Sequence, residues 1–406
     1  MKNTAFNALL LGEIVSNFGS MLTRLVIPWI AALTLAATPF EMGLLVVADV
    51  ATAAVTALLL GALVDRVSLR WMMMAADIGR AALIAALAWL VWQGAATFAL
   101  LVAISAINGL LTVAFQLARS AWVAKHSTID ELTPRNSKLS AAGNATEALS
   151  FGVGGWLYQA VGGALSLATD AASYLLSLAC VWRLPRDEMP PRDAFAPAVA
   201  IGWKVVVTDA RSGMAVLLCN PTLKRLGWIE FFINLGTGMA GASYMIFVAR
   251  DLGFSPGTLG MIFAVGGAGA VIAAAIAPWL GNRVGGPRAI IFGVAALAVG
   301  ALVIIAAEGA TLLAAALLVT HQLIGDGGRV MQEIHDRTLR QTLAPHDALA
   351  RVDAGLRTVT HLGMLLGAVI GGLVGNVIGA RLTLLLSALL LVVAAGVAYY
   401  GLWKTK

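Results

Sequence analysis

Ten acidic or basic residues lie inside stretches of this sequence that are otherwise strongly apolar. An ionised side chain near the middle of a bilayer costs roughly 2.5 to 3.5 kcal/mol on insertion scales, so each is a functional candidate wherever its stretch spans a membrane. The chemistry open to such residues is proton binding, ion pairing between helices or recognition of a charged ligand. The ten residues are Glu13, Arg24, Asp49, Asp77, Arg80, Glu147, Asp170, Glu230, Asp326 and Arg329.

Polar residues of the first apolar stretch share one helical face. Glu13, Asn17, Ser20 and Arg24 are spaced i, i+4, i+7 and i+11. Eleven residues at about 100° each return Arg24 to within roughly 20° of Glu13. Such a stripe must face other helices or a water-filled cavity, which makes Glu13, Asn17 and Arg24 candidates for a substrate cavity or proton path. The alternative is that Glu13 fixes a helix end near the cytoplasm through a neighbouring arginine.

A second polar face lies late in the chain. His321, Gln322 and Asp326 follow near-helical spacing, and Arg329 comes three residues after Asp326. The first three are candidates for the cavity or for proton coupling. Two alternatives remain: Asp326 pairs with Arg329 at i, i+3 and is structural, and His321 is a satisfied core residue.

Asp49 stands apart from the other acids. The predicted span 43–64 gives it no acidic or basic neighbour along its own helix. A buried carboxylate without a partner takes up a proton readily, so Asp49 is a proton-binding candidate. The alternative is a contact at an interfacial gate.

Composition determines which elements can carry these residues. Of 406 residues, 60% are hydrophobic and 12% are charged, against about 25% charged in soluble proteins. This excludes a soluble globular protein, and long unbroken apolar runs at 81–92 and 382–402 exclude the alternating pattern of a membrane barrel. The two cysteines have no ligand or disulfide spacing, so we expect neither a metal nor a cofactor.

Hydropathy and the Gly, Pro and charge breaks predict twelve transmembrane helices. With the N-terminus inside, the outer loops carry only Arg250 and Arg381 of the 27 Lys and Arg residues, apart from three deeper within spans. Because positive residues concentrate in inner loops, we expect both termini to be cytoplasmic, and the net charge of +6 requires no nucleic acid. The predicted spans are 6–36, 43–64, 71–92, 97–118, 138–159, 164–184, 224–249, 257–280, 287–307, 311–333, 356–376 and 380–403.

An offset of about 217 residues brings the second half of the sequence onto the first. Glu13, Asn17 and Gly19 then coincide with Glu230, Asn234 and Gly236, so Glu230 and Asn234 join the cavity candidates. The duplication predicts two pseudo-symmetric six-helix bundles of the same orientation. We expect an N-terminal half at 1–184, a cytoplasmic linker with an amphipathic helix at 185–223, and a C-terminal half at 224–406.

The loop after the second span supports a family resemblance. Gly61, Asp65, Arg66 and Arg70 match the Gly-x-x-x-Asp-Arg-x-Gly-Arg-[Lys/Arg] signature, with Ser68 in place of its second glycine. The sequence thus resembles the major facilitator superfamily. Shorter matches resemble the bacterial branch of enterobactin and macrolide exporters; they are Leu11-Gly12 to Ser16, Gly19, Ala75-Ala76-Asp77 with Arg80, and Ala118 to Ala121.

The resemblance implies a charge network near the cytoplasm that latches the two halves in the outward-open state. Its members here are Gly61, Asp65, Arg66, Arg70, Asp77, Arg80 and Glu147. Two departures weaken a standard drug/proton antiport mechanism. Ser105 stands where antiporters of the family carry a membrane-embedded arginine, and the run from Phe151 to Gly155 lacks the proline of the fifth-span motif.

These observations and the resemblance predict a secondary transporter of the bacterial inner membrane. We expect it to export an amphipathic small molecule, a siderophore or a drug, by alternating access in exchange for protons. Its partners are then that substrate, protons and the lipid bilayer, and we expect a monomer. An uncoupled facilitator or lipid flippase of the same fold is the alternative. A membrane-embedded enzyme or receptor is remote, because the sequence shows no nucleophile-and-base motif or phosphate-binding loop.

Overall fold

The structure is a computed structural model that describes residues 2–64, 67–185, 214–215, 217–343 and 349–403. These residues form helices joined by short connections, with no strand among them. The helices are α1 (Lys2–Trp29), α2 (Pro39–Val64), α3 (Leu69–Trp92), α4 (Phe98–Lys125), α5 (Ile129–Trp182), α6 (Pro221–Ile246), α7 (Pro256–Val284), α8 (Gly286–Val303), α9 (Leu312–His321), α10 (Gly327–Leu343), α11 (Leu349–Ile378) and α12 (Ala380–Leu402).

Short polar side chains define where several helices begin. The Asn220 carboxamide accepts hydrogen bonds from the first backbone amides of α6, and the hydroxyls of Ser68, Thr97 and Thr311 do the same for α3, α4 and α9. These residues satisfy amides that a helix leaves unpaired at its N-terminus. The sequence thereby separates long apolar helices with connections of only a few residues.

The predicted helical membrane fold is confirmed. Within the described ranges, nine helices are long and apolar enough to cross a membrane. One of them, Asp130–Trp182, covers two predicted spans. Gly162, with φ 76° and ψ 176°, kinks α5 and divides it into two segments that correspond to these spans. The predicted span 311–333 corresponds to α9 and the first part of α10, joined by a π-helical turn at Gln322–Asp326.

The duplication is visible in the positions of helix ends. Trp29 ends α1 and Ile246 ends α6, 217 residues apart, and each is followed by a π-helical turn of five residues. The kink glycine Gly162 corresponds in the same way to Gly379, which separates α11 from α12 with φ 82°. The two halves of the sequence therefore follow the same helical path.

Contacts divide the chain into two compact units, Met1–Leu35 with Ala51–Gly202 and Ala36–Val50 with Trp203–Lys406. The start of α2 thus packs with the second unit, where the Phe40 amide donates to the Asn376 side chain at 3.1 Å. Most of the predicted linker 185–223 lies outside the described residues. The predicted domain boundaries and the amphipathic helix stay predictions.

Each unit has its own apolar core. In the first unit, Met73, Phe115 and Trp122 lie at the centre, where α1, α3, α4 and α5 meet. In the second unit, α6, α8, α11 and α12 contribute a larger cluster that includes Val294 and Leu391.

Candidate functional site

The polar face of α1 is engaged by other helices of the first unit. Glu13 forms an ion pair with Arg119 of α4, and the two side chains are 14% and 21% exposed. The Asn17 amide donates to the Thr146 hydroxyl at 2.7 Å and to the Gly143 carbonyl at 3.3 Å, both on α5. Farther along the same face, Arg24 is exposed and has an interaction partner.

Glu230 is the centre of a buried polar cluster in the second unit. Its Oε2 accepts hydrogen bonds from Arg329 at 3.2 Å and from the Asn234 amide at 3.0 Å. Its Oε1 accepts from the Gln332 amide at 2.9 Å. The Glu230 side chain is only 6% exposed, so this carboxylate is held by an opposite charge and two amides. Both glutamates of the repeat therefore have an arginine partner.

The expected pairing of Asp326 with Arg329 is wrong. Arg329 is paired with Glu230 and, at 3.1 Å, with Glu333. The Asp326 carboxylate lies against Gly266 of α7 instead, and its side chain is exposed. The physical reason is that Glu230, on the neighbouring helix α6, presents a buried carboxylate to Arg329, which the spacing within one helix could not reveal.

Asp326 lies close enough to Tyr244 of α6 for its charge to act on the Tyr244 hydroxyl, and two further rings lie against Tyr244. The Tyr244 ring of α6 lies 5.6 Å from the His321 ring and 6.1 Å from the Phe263 ring, between centroids. The Tyr244 hydroxyl is buried and has no hydrogen-bond partner among the described residues. His321 Nδ1 contacts the Gly300 carbonyl at 3.0 Å, and Gln322 begins the π-helical turn that ends at Asp326. We call Tyr244, Phe263, His321 and Asp326 the aromatic–carboxylate group.

The expected burial of Asp49 is wrong. Its side chain is exposed and has an interaction partner. The sequence of one helix counts only neighbours along that helix, whereas partners from other helices decide burial. Asp49 lies in the part of α2 that belongs to the second unit.

The predicted latch is only partly within the described residues, because Asp65 and Arg66 lie outside them. Gly61 lies in α2, and Glu147 is half-buried in α5. Arg70 is buried and donates to the backbone carbonyl of Trp182. The latch role of these residues stays a prediction.

Asp77 and Arg80 form an ion pair in the interior of the first unit, 0% and 2% exposed. The Arg80 guanidinium lies between two rings, 4.6 Å from the centroid of Phe115 and 4.4 Å from that of Tyr174. Both side chains therefore lie in the packed interior of the first unit, and their membership of the cytoplasmic latch stays a prediction.

Asp170 received no role from the sequence, yet it is fully buried on α5. The Thr23 hydroxyl of α1 donates to its Oδ2, and the Ser173 hydroxyl donates to its Oδ1 at 3.1 Å. The sequence does contain a pattern that indicates a polar site here. Asp170, Ser173 and Ser177 are spaced i, i+3 and i+7 and form a polar stripe in an apolar run.

A cavity of about 590 Å³ lies between α3 and the second segment of α5. Its lining is wholly apolar and includes Ile78, Trp89, Trp92 and Leu175. The charged candidates of the first unit lie elsewhere.

Comparisons with known proteins agree with this architecture. The family model of the Major Facilitator Superfamily matches residues 9–331. An uncharacterized MFS-type transporter of Bacillus subtilis, YfiS, is 26% identical over 408 residues, with 97% of this chain and 92% of that protein covered.

Solved transporters share the fold. The nucleoside transporter NupG superposes with a TM-score of 0.76 at 15% identity, covering 100% of this chain and 99% of its own. A bacterial metal transporter gives 0.72 and a bacterial homologue of the iron transporter ferroportin gives 0.69, both at 15% identity with 99% of each chain covered. The chain belongs to the Major Facilitator Superfamily and is a multi-pass membrane transporter.

Proposed function

We propose that this transporter exports an amphipathic small molecule, of the siderophore or drug type, in exchange for protons. The substrate cycles through alternating access of the two halves. We place the protein in the bacterial inner membrane with both termini in the cytoplasm, because few Lys and Arg residues fall in the outer loops under that orientation.

The aromatic–carboxylate group carries this proposal. Asp326 is exposed although it lies within a predicted span, and an exposed carboxylate at such a depth needs water or a ligand beside it. The rings of Tyr244, His321 and Phe263 provide apolar and aromatic contact area next to that charge. This combination suits a ligand that joins an aromatic body to a cationic or hydrogen-bonding group.

The solved proteins that share the fold differ in kind: one is a nucleoside transporter, one is a metal transporter and one is a homologue of an iron transporter. Because their cargoes differ, the substrate of this chain has to be inferred from its own residues. The family motifs of the first, third and fourth spans favour the exporter branch.

An uncoupled facilitator or lipid flippase is the second candidate. Ser105 favours it, because this position of α4 lacks the arginine of the antiporter motif, and the Ser105 hydroxyl is buried without a partner among the described residues. Proton movement separates the two candidates.

The test uses purified protein in proteoliposomes that contain a pH-sensitive dye. Ethidium, erythromycin and a catecholate siderophore are added in turn under an imposed proton gradient. We expect at least one of them to drive proton movement, with Asp326→Asn reducing its apparent affinity about tenfold, the equivalent of one lost charge-assisted contact.

The matched control is Asp130→Asn, which alters an exposed acid at the start of α5. Substrate flux without a proton signal would contradict the exchange and favour the facilitator. Equal affinities in Asp326→Asn, Asp130→Asn and the unaltered protein would contradict the role of the aromatic–carboxylate group.

A further inference from the structure

The interior of the first unit contains three charged side chains that no part of the proposed mechanism uses. Asp77 and Arg80 of α3 and Asp170 of α5 are all at most 2% exposed. Arg80 lies against the ring of Tyr174, which is four residues, about one helical turn, after Asp170. We call Asp77, Arg80 and Asp170 the buried triad.

The charges of the buried triad do not balance. Two carboxylates and one guanidinium leave a net charge of −1 when every group is ionised. An uncompensated charge in a water-free interior is strongly unfavourable, and a buried acid responds by binding a proton. One proton makes the triad neutral.

Among the described residues, the charged groups that act on Asp77 and Asp170 are Arg80 and Glu13. Glu13 of α1 is the further acid that faces Asp77, and it is already paired with Arg119 of α4. Tyr174, from α5, is neutral and its hydroxyl contacts the Ser20 hydroxyl of α1 at 3.0 Å. With the Glu13–Arg119 pair included, these five described side chains still carry one excess negative charge.

The hydrogen bonds indicate which carboxyl takes the proton. Asp77 Oδ1 is bonded to the Arg80 guanidinium, which stabilises the ionised form. Asp170 contacts three hydroxyls, those of Thr23, Ser173 and Tyr174. A hydroxyl donates to a carboxylate and accepts from a carboxylic acid, so these partners accommodate both protonation states.

Helix packing alone does not require these charges, as the second unit demonstrates. The 217-residue offset places Val294 and Leu297 where Asp77 and Arg80 stand, and Ser387 and Leu391 where Asp170 and Tyr174 stand. Val294 and Leu391 are buried members of the apolar core, with Leu297 packed against it. The same helical framework is therefore built without ions.

We propose that the buried triad is a proton-binding site of the first unit, which takes one proton on Asp170 and is the site of the proton exchanged for substrate. This inference rests on the proposed proton exchange. Protons and substrate then bind in different units: protons bind within the first unit, and the substrate contacts the aromatic–carboxylate group of the second.

Infrared spectroscopy of the intact protein tests the site without any substrate. Protein labelled with carbon-13 at the aspartate carboxyls is titrated from mildly acidic to alkaline pH, and the band of protonated aspartic acid is followed. We expect one protonated carboxyl per chain at neutral pH in the unaltered protein, and none of this signal in Asp170→Asn.

Asp77→Asn is the second variant, because it leaves Arg80 free to neutralise Asp170 and should also remove the proton. Asp130→Asn, at an exposed position, should keep the band. Persistence of the band in both triad variants, or its absence from the unaltered protein, would overturn the proposal. The band reports proton binding at equilibrium, so its presence or absence is decided separately from whether transport proves to be proton-coupled.

Discussion

The two halves of this transporter share a helical path but bury different chemistry at equivalent positions. In the first unit, the junction of α1, α3 and α5 contains the buried triad, whereas the equivalent positions of the second unit, Val294, Leu297 and Ser387, are uncharged. Conversely, Tyr244 and His321 correspond to Ile27 and Ile104. A duplicated framework can therefore assign proton binding to one half and ligand contact to the other.

The two glutamates that the duplication repeats, Glu13 and Glu230, also differ in their partners. Glu13 is paired with Arg119, but the residue equivalent to Arg119 is the acidic Asp336, which is paired with Arg340 at 2.8 Å. Glu230 takes its arginine from position 329, two helical turns earlier on the partner helix. The glutamate is retained in both halves while its partner has moved.

The repeated asparagines differ because of a glycine. Asn17 reaches the Thr146 hydroxyl, and the position equivalent to Thr146 is Gly363. A Cβ at Gly363 would lie 2.8 Å from the Phe231 carbonyl, so α6 and α11 approach too closely for a threonine. Asn234 bonds to Glu230 of its own helix instead.

The largest effect on stability is expected from Arg80→Leu, which introduces the residue found at the equivalent position of the second half, Leu297. Two buried carboxyls would lose their counter-charge, at a cost of about 3–5 kcal/mol in the free energy of unfolding. The triple variant Asp77→Val, Arg80→Leu, Asp170→Ser should return to within about 1 kcal/mol of the unaltered protein, since an apolar replacement removes all the charges. Thermal unfolding in detergent measures both. A triple variant as unstable as Arg80→Leu would show that the two junctions are not interchangeable.

The next largest effect separates the glutamates. Glu230→Ala should lower the free energy of unfolding by about 3 kcal/mol, because it leaves the Arg329 charge and the Gln332 amide without their buried acceptor. Glu13→Ala should cost about 1 kcal/mol, since the Glu13 carboxylate is more exposed than that of Glu230, 14% against 6%. Denaturant titration of the two variants measures the difference, and equal losses would contradict the contrast in burial.

An intermediate and equal effect is expected at the two kink glycines. Gly162 and Gly379 share a backbone conformation with positive φ and ψ near 170°, and neither has a neighbour that a Cβ would meet. Alanine at either position should cost about 1–3 kcal/mol from backbone strain alone. Unfolding measurements on Gly162→Ala and Gly379→Ala check this, and clearly unequal costs would argue against a conserved path.

The smallest effect on stability is expected for Tyr244→Phe. Its hydroxyl has no partner among the described residues, so its removal should change the free energy of unfolding by less than about 0.5 kcal/mol. Tyr174→Phe is the matched control and should cost about 1 kcal/mol, because that hydroxyl contacts Ser20. A ligand role for Tyr244 requires weakened ethidium or erythromycin transport in a stable variant; unchanged transport would exclude it.

The sequence predicts the framework well because the framework depends on local patterns. Matched residues such as Glu13 and Glu230 reveal the offset, and the same offset relates the ends of α1 and α6 and the kinks at Gly162 and Gly379. Hydropathy and breaks of Gly and Pro locate the helices. The π-helical turns at Ile30–Thr34, Phe247–Asp251 and Gln322–Asp326 have no evident signal in the residues.

The sites are predicted less completely because their partners come from distant positions. Arg119 and Glu13 are 106 residues apart, and Arg329 and Glu230 are 99 apart, so spacing within one helix could not identify either pair. Asp170 was visible as a charge in an apolar run, but its relation to Arg80 depends on how α3 packs against α5. Burial of Asp49 was inferred from one helix and was wrong for the same reason.

The most direct test of the division between the halves compares Asp170→Asn with Asp326→Asn in dye-loaded proteoliposomes, with ethidium and erythromycin as probes. We expect Asp170→Asn to abolish probe-driven proton movement while probe binding persists. We expect Asp326→Asn to weaken probe binding about tenfold while proton binding persists. The opposite assignment, or loss of both properties in each variant, would contradict the division.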